Sequence, residues 1–284
     1  MAQRTAADAS VLRSAVFDST VIERWSAQDQ SDSPGALVER LLGRLESRPD
    51  AGTWKDLERQ LVVEGECWCA AGFAALPGLA RIARSGARPD RDRALDLAAV
   101  IVRSLHRNHE HDDLVRANRH ALAALHRLAE DRLAAATAPT ATPSLVRLMQ
   151  DALGFAGYTF WATISLDFTD EHYHLDCPGC ATRLAIVIGD YGHYAAIRHH
   201  DDGDTHRRPL SPTAPGQLTG IGRWMHDTAT AGGDIVLADG ITYLFGHATC
   251  STCACRFPLA DSYEAENSPT QPIDPVVPKT DASA

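Results

Sequence analysis

The sequence predicts a mainly α protein of stacked antiparallel helical hairpins, with a small β element in its C-terminal half. Three observations predict it. Apolar residues recur at helical spacing from Ala36 to Leu153, in segments rich in Ala and Leu and broken by short turns. Near Thr169 that texture gives way to β-branched residues, most plainly in Leu184-Ala185-Ile186-Val187-Ile188. Two cysteine pairs, Cys177-Pro178-Gly179-Cys180 and Cys250-Ser251-Thr252-Cys253, then bracket residues 181–249.

Taken in order, residues 1–33 are weakly patterned and are expected to be poorly ordered. From Ala36, the residues Leu37, Val38, Leu41, Leu42 and Leu45 trace a helical stripe that stops at Pro49. A second helix is expected to begin with Thr53 as N-cap and Asp56 three residues on, to bury Trp54, Leu57, Leu61 and Val62, and to stop at Gly65. A small-residue helix runs from Ala70 to Arg84, where Pro77, lacking an N–H, is expected to kink or restart it. The plainest amphipathic stripe is Ala94, Leu97, Ala98, Ile101, Val102 and Leu105. His106–Asp113 reads as a charged loop and Leu114–Leu133 as a long helix. A linker follows, and Pro143 then opens a helix that buries Leu145, Leu148, Met149 and Leu153. Small residues let helix axes approach, as stacked hairpins require; an ordinary bundle is the alternative.

The helical region is thus 34–168. Residues 169–261 are expected to hold a strand at His172–Asp176, then a hairpin of 184–188 against 191–197 through Gly189-Asp190. His199–Asp204 reads as a polar loop, and helical spacing returns at Leu218, Ile221, Trp224 and Met225. Ile235–Phe245 is read as a helix despite Gly240, with a strand as the alternative, and Arg256–Leu259 as a short strand. Residues 262–284 are Pro-, Ser- and acid-rich and are expected to form a disordered tail.

Each C-x-x-C turn directs two thiolates inward. Two such turns facing each other offer the tetrahedral set that Zn²⁺ prefers, so Cys177, Cys180, Cys250 and Cys253 are the candidate ligands of a structural zinc in a split ribbon. A redox C-x-x-C sits at a helix N-terminus, whereas Ala181-Thr182-Arg183 leads into a strand. Four thiolates close the coordination sphere, so the metal argues for architecture and leaves no position for a substrate. His172, His174 and His247 lie near the knuckles and are read as neighbours rather than ligands. The loops His106–Asp113 and His199–His206 have ligand chemistry but no helical H-x-x-x-H or H-E-x-x-H spacing. Cys67 and Cys69 read as small buried side chains.

Composition narrows the partners. Lys and Arg number 27 against 37 Asp and Glu, a net charge of −10, which gives no general attraction to phosphate backbones or anionic lipid. Lys55 and Lys279 are the only lysines; with the abundant alanine this suggests a high-GC genome. No stretch reaches the ~18 apolar residues of a membrane span, and Met1–Asp8 leads into no apolar core of a signal peptide. Seven cysteines, an odd number with C-x-x-C spacing, suit a reducing cytoplasm.

A set of short motifs goes further: a Trp-x-x-Leu helix, a Gly-x-x-x-x-Ala run into Ala74-Ala75-Leu76-Pro77, and Cys177-Pro178-Gly179-Cys180. Beyond these lie Ile188-Gly189-Asp190-Tyr191-Gly192, Leu218-Thr219-Gly220-Ile221-Gly222-Arg223-Trp224 and Leu244-Phe245-Gly246. In this order, over roughly residues 36 to 260, the chain resembles an uncharacterised family of HEAT-like proteins from high-GC bacteria. The resemblance implies HEAT-like helical repeats and an immunity- or adaptor-like role, with no activity attached. Members often carry glycine after the last knuckle cysteine, where this chain has Ala254 and then Cys255, so Cys255 stands as a rival to Cys253 for the fourth ligand. The leading functional expectation is a non-enzymatic cytoplasmic protein-interaction module with a protein partner. Its alternatives are a nucleic-acid-associated zinc-ribbon protein and a metalloenzyme built on the histidine loops.

Overall fold

The computed structural model describes residues 34–63, 65–67, 70–105, 111–136, 142–199 and 203–268. The expectation for 1–33, and that for 269–284 of the tail, lie outside them. The protein is mainly α with a small antiparallel sheet region, as the helical and β-branched textures predict. Contacts divide it into two compact units. Among the described residues the first runs to Asp131 and takes in Asp151–Thr159; the second comprises Arg132–Gln150 and residues 160–268.

The first unit contains α1 (Pro34–Ser47), α2 (Ala51–Leu61), α3 (Ala70–Ser85) and α4 (Arg88–Arg103), and most of α5 (His111–Ala134). Val38, Leu41, Leu42 and Leu45 form the buried stripe of α1, which packs on α2 and α3. The start of α2 differs from the expected one. Asp50, not Thr53, is the N-cap: its carboxylate accepts the Thr53 N–H at 2.8 Å and the Thr53 hydroxyl at 2.6 Å. Thr53 is therefore buried within the first turn, and its hydroxyl and N–H hold the Asp50 carboxyl below its ordinary range. Gly65, with φ +84°, makes the turn of a Val63–Glu66 bridge beyond the helix. α3 runs unbroken through Pro77 and packs on α4, with Ala75, Leu76, Leu79 and Ala83 buried on one and Ala94, Ala98, Ile101 and Val102 on the other. Each such leucine contributes about 1.5–3 kcal/mol by leaving water. Polar ties join α2 to α4: Trp54 Nε1 donates to Asp90 at 2.8 Å, and Arg93 grips Glu58 at 2.6 and 2.8 Å. His111–Asp113, expected in a loop, form the first turn of α5, where two acidic residues suit the positive helix end.

The second unit is organised around a sheet of order β1 (Asp170–Asp176), β2 (Arg183–Gly189), β3 (Gly192–His199) and β4 (Gly203–Pro209), antiparallel throughout. The central strand β2 is buried at five successive positions, Leu184–Ile188, as a strand covered on both faces must be. It turns into β3 through Asp190-Tyr191, with Gly189 opposite Gly192. β4 occupies part of what reads in sequence as a polar loop. Here α6 (Thr142–Phe155) contributes its first residues, and α7 (Gly220–Ala231) packs on α8 (Ile235–Leu244), which rests on β2. Gly240 does not break α8 and is required in it: a Cβ there would stand 2.2 Å from the ring of Phe168, which is 1% exposed. β5 (His247–Thr249) and β6 (Arg256–Pro258) form a second hairpin.

The chain does not lose structure at Ser262. α9 (Leu259–Asn267) packs on β1 and β6. Tyr263 sets its ring 5.5 Å from Phe160 and 5.2 Å from Tyr173, and Glu266 accepts from Arg183 and from the Asp176 N–H.

Candidate metal centre

The two cysteine pairs occupy the tips of two hairpins. Cys177–Thr182 closes β1 onto β2, and Cys250–Cys255 closes β5 onto β6. The loops are built alike. The Cys177 N–H donates to the Thr182 carbonyl at 2.9 Å and the Cys250 N–H to the Cys255 carbonyl at 2.9 Å. Ala181 N–H returns to the Cys177 carbonyl at 2.8 Å and Ala254 N–H to the Cys250 carbonyl at 3.0 Å. Ala181 and Ala254 take left-handed backbone, φ +55° and +59°. The correspondence is visible in the sequence as Cys-x-x-Cys-Ala-x-Arg followed by a buried apolar residue, Leu184 or Phe257. Ala254 therefore stands where Ala181 stands in the first knuckle, and its departure from glycine is shared by both loops.

These loops bring the four sulfurs of Cys177, Cys180, Cys250 and Cys253 within 4.8 Å of one another. Cys177 and Cys253 are 3.7 Å apart and Cys180 and Cys250 3.8 Å apart. A disulfide needs about 2.05 Å, whereas two sulfurs on a tetrahedral metal with bonds of about 2.3 Å stand about 3.8 Å apart. The four can hold a metal ion. Cys177 and Cys250 are 2% and 1% exposed and form the inner side of the set; Cys180 and Cys253 form its outer side.

The surroundings treat the thiols unequally. Burial pushes Cys177 up to about 12, although the Gly179 N–H donates to its sulfur at 3.4 Å. Cys180 is held down at about 6 by the Thr182 hydroxyl, 3.2 Å from its sulfur, and by the Thr182 N–H. A bound cation overrides that difference, because every ligand must give up its proton.

Cys255 is placed elsewhere. A Cβ on Gly179 would meet Cys255 Cβ at 3.0 Å and its sulfur at 3.1 Å, so the Cys255 side chain packs on the backbone of the first knuckle. It is not among the four mutually close sulfurs, and among the described residues no other group of three or more His, Cys, Asp or Glu converges in this way. His174 and His247 also stand outside the set. Of the histidine loops, His206 is exposed on β4, while residues 106–110 and 200–202 lie outside the described residues. Cys67 is buried in the first unit, with its N–H on the Ser104 hydroxyl at 3.1 Å.

Comparison with protein-family models, with curated proteins and with solved structures gives no match. Among the described residues no helix is long and apolar enough to cross a membrane.

Proposed function

We propose that this chain is a non-enzymatic, cytoplasmic protein-interaction module, immunity- or adaptor-like, whose second unit is held together by a structural zinc. The observation that carries the reading is the closed quartet at the two hairpin tips, Cys177, Cys180, Cys250 and Cys253. Sulfur separations of 3.7 and 3.8 Å suit bonds of the zinc–thiolate length of about 2.3 Å. Four thiolates leave no coordination position for a substrate, so the ion serves the fold. Two hairpins that present facing knuckles support the ribbon, here split by residues 181–249. The packing of α1 on α2 and of α3 on α4 supports HEAT-like stacking, and a net charge of −10 suits a protein partner better than nucleic acid. The resemblance to HEAT-like proteins of high-GC bacteria points the same way.

The metal part is tested on protein purified from zinc-replete cells. About one zinc per chain is expected. Cys253→Ala releases the ion and lowers the melting temperature, while Cys255→Ala retains it. Zinc kept by the first variant and lost by the second overturns the ligand assignment. The interaction part is tested by affinity capture from the native host under reducing conditions, which should return one protein in stoichiometric amount. A host catalytic activity that tracks the purified chain, with no such partner, overturns it.

A further inference from the structure

β4 is the edge of the four-stranded sheet, and on it His206, Arg207 and Arg208 are consecutive and exposed. The acid of that strand is already taken. The Asp204 side chain is 7% exposed, receives Arg198 at 2.8 and 3.2 Å, and accepts from the Tyr194 hydroxyl at 2.9 Å. Arg207 and Arg208 make no ion pair with any described residue. Arg207 instead lies 4.5 Å over the Tyr194 ring, a cation–π contact that holds the guanidinium in place. The backbone beneath is irregular. Ala195 faces Arg208 and Ile197 faces Thr205, so His206 and Arg207 both oppose Ala196, in a bulge. His206 sits there at φ +52°, in the left-handed region that side chains with a Cβ rarely adopt. The basic run thus lies on a bulged edge strand of a chain whose net charge is −10.

We infer that this edge docks an acidic, extended segment of another protein, whose carboxylates pair with Arg207 and Arg208. The inference rests on the interaction-module reading and names its partner's chemistry. Guanidinium groups fit carboxylates in forked pairs, and a partly immobilised Arg207 loses less freedom on binding than a free one. A second copy of the chain does not suit the edge, because β4 beside β4 would set arginines against arginines. Single-stranded nucleic acid is disfavoured as well. The ring on this face is already covered by Arg207, which removes the stacking platform, and the rest of the chain repels phosphate.

The test uses the full-length protein and three fluorescent probes read by anisotropy: a peptide repeating Glu-Glu-Val (the Glu-Val peptide), which offers carboxylates on both faces of an extended strand, the same peptide with Gln for Glu (the Gln-Val peptide), and an oligo-dT strand. The Glu-Val peptide is expected to bind, and to protect the amides of 203–209 from hydrogen exchange. Its affinity should fall about tenfold or more for the Gln-Val peptide and for Arg207→Glu/Arg208→Glu. The double variant is compared with Arg207→Gln/Arg208→Gln, so that a loss caused by repulsion is told from a loss of pairing; both should bind worse than the parent. Absence of Glu-Val binding overturns the inference, as does equal binding by the variants or by the Gln-Val peptide. Tighter binding of oligo-dT through the same arginines reassigns the edge to nucleic acid and overturns it too. The interaction-module reading stands or falls separately, on capture of its own partner.

Discussion

Ala181 and Ala254 sit at the same place in their two knuckles, one residue past the second cysteine, and both are exposed and left-handed. An L-residue with a Cβ loses about 1–2 kcal/mol in that conformation. Glycine removes the clash but gives the unfolded chain more freedom, which returns part of the gain. The net expectation for Ala254→Gly, and separately for Ala181→Gly, is a stabilisation of about 0.5–1 kcal/mol, seen as a higher urea midpoint of the metal-loaded protein. A lower midpoint would mean that the left-handed turn is not what these loops hold in solution. Glycine at 179 is a different case: there the Cys255 side chain occupies the space, so Gly179→Ala presses one knuckle off the other.

Among the elements, α9 and β4 were illegible in the sequence for physical reasons, while the long helices were not. α1, α4 and α5 each bury a stripe with the 3.6-residue period, and β2 buries a continuous β-branched run, so pattern alone finds them. β4 is an edge strand whose residues are exposed or half-buried, so nothing forces alternation on Gly203-Asp204-Thr205-His206-Arg207-Arg208-Pro209. α9 has nine residues, shorter than a helix that stands alone in water, and is held by what it docks on. The four candidate ligands were legible because C-x-x-C is a local signal. Their juxtaposition across residues 181–249 depended on two hairpins whose pairing no spacing displays. Tyr263 carries the docking of α9, since its ring reaches Phe160 and Tyr173. Tyr263→Ala should therefore cost about 2 kcal/mol in chemical denaturation. Glu266→Gln, on an outer ion pair with a half-exposed Arg183, should cost less than about 1 kcal/mol. Equal small losses for both would place the helix's anchoring elsewhere.

At the scale of the molecule, the described core of one unit is a set of packed apolar side chains, and the other unit carries the thiol quartet. In the first, Trp54, Leu57, Leu76, Leu79, Ala98 and Ile101 are all almost fully buried, and no described cysteine cluster takes part. In the second, the knuckles close β1 on β2 and β5 on β6, with β3, β4, α7 and α8 lying between them in sequence. A metal gripping Cys177, Cys180, Cys250 and Cys253 ties off that whole segment. A link that closes a loop of this length removes several kcal/mol of freedom from the unfolded chain, about 4 kcal/mol by analogy with a disulfide. The binding energy of the thiolates adds to folding directly, because the unfolded chain holds no formed site. Chelation under reducing conditions should therefore act unevenly. Amide hydrogen exchange is expected to accelerate across Asp170–Pro258, most sharply in the short β5–β6 hairpin, while α1–α4 keep their protection. Zinc added back should restore the original pattern in the parent and in Cys255→Ala, but not in Cys253→Ala. Exchange that rises evenly through both units would mean that the ion, or what it orders, supports the entire chain. Exchange unchanged by chelation would mean that the quartet holds its geometry through the hairpin hydrogen bonds alone.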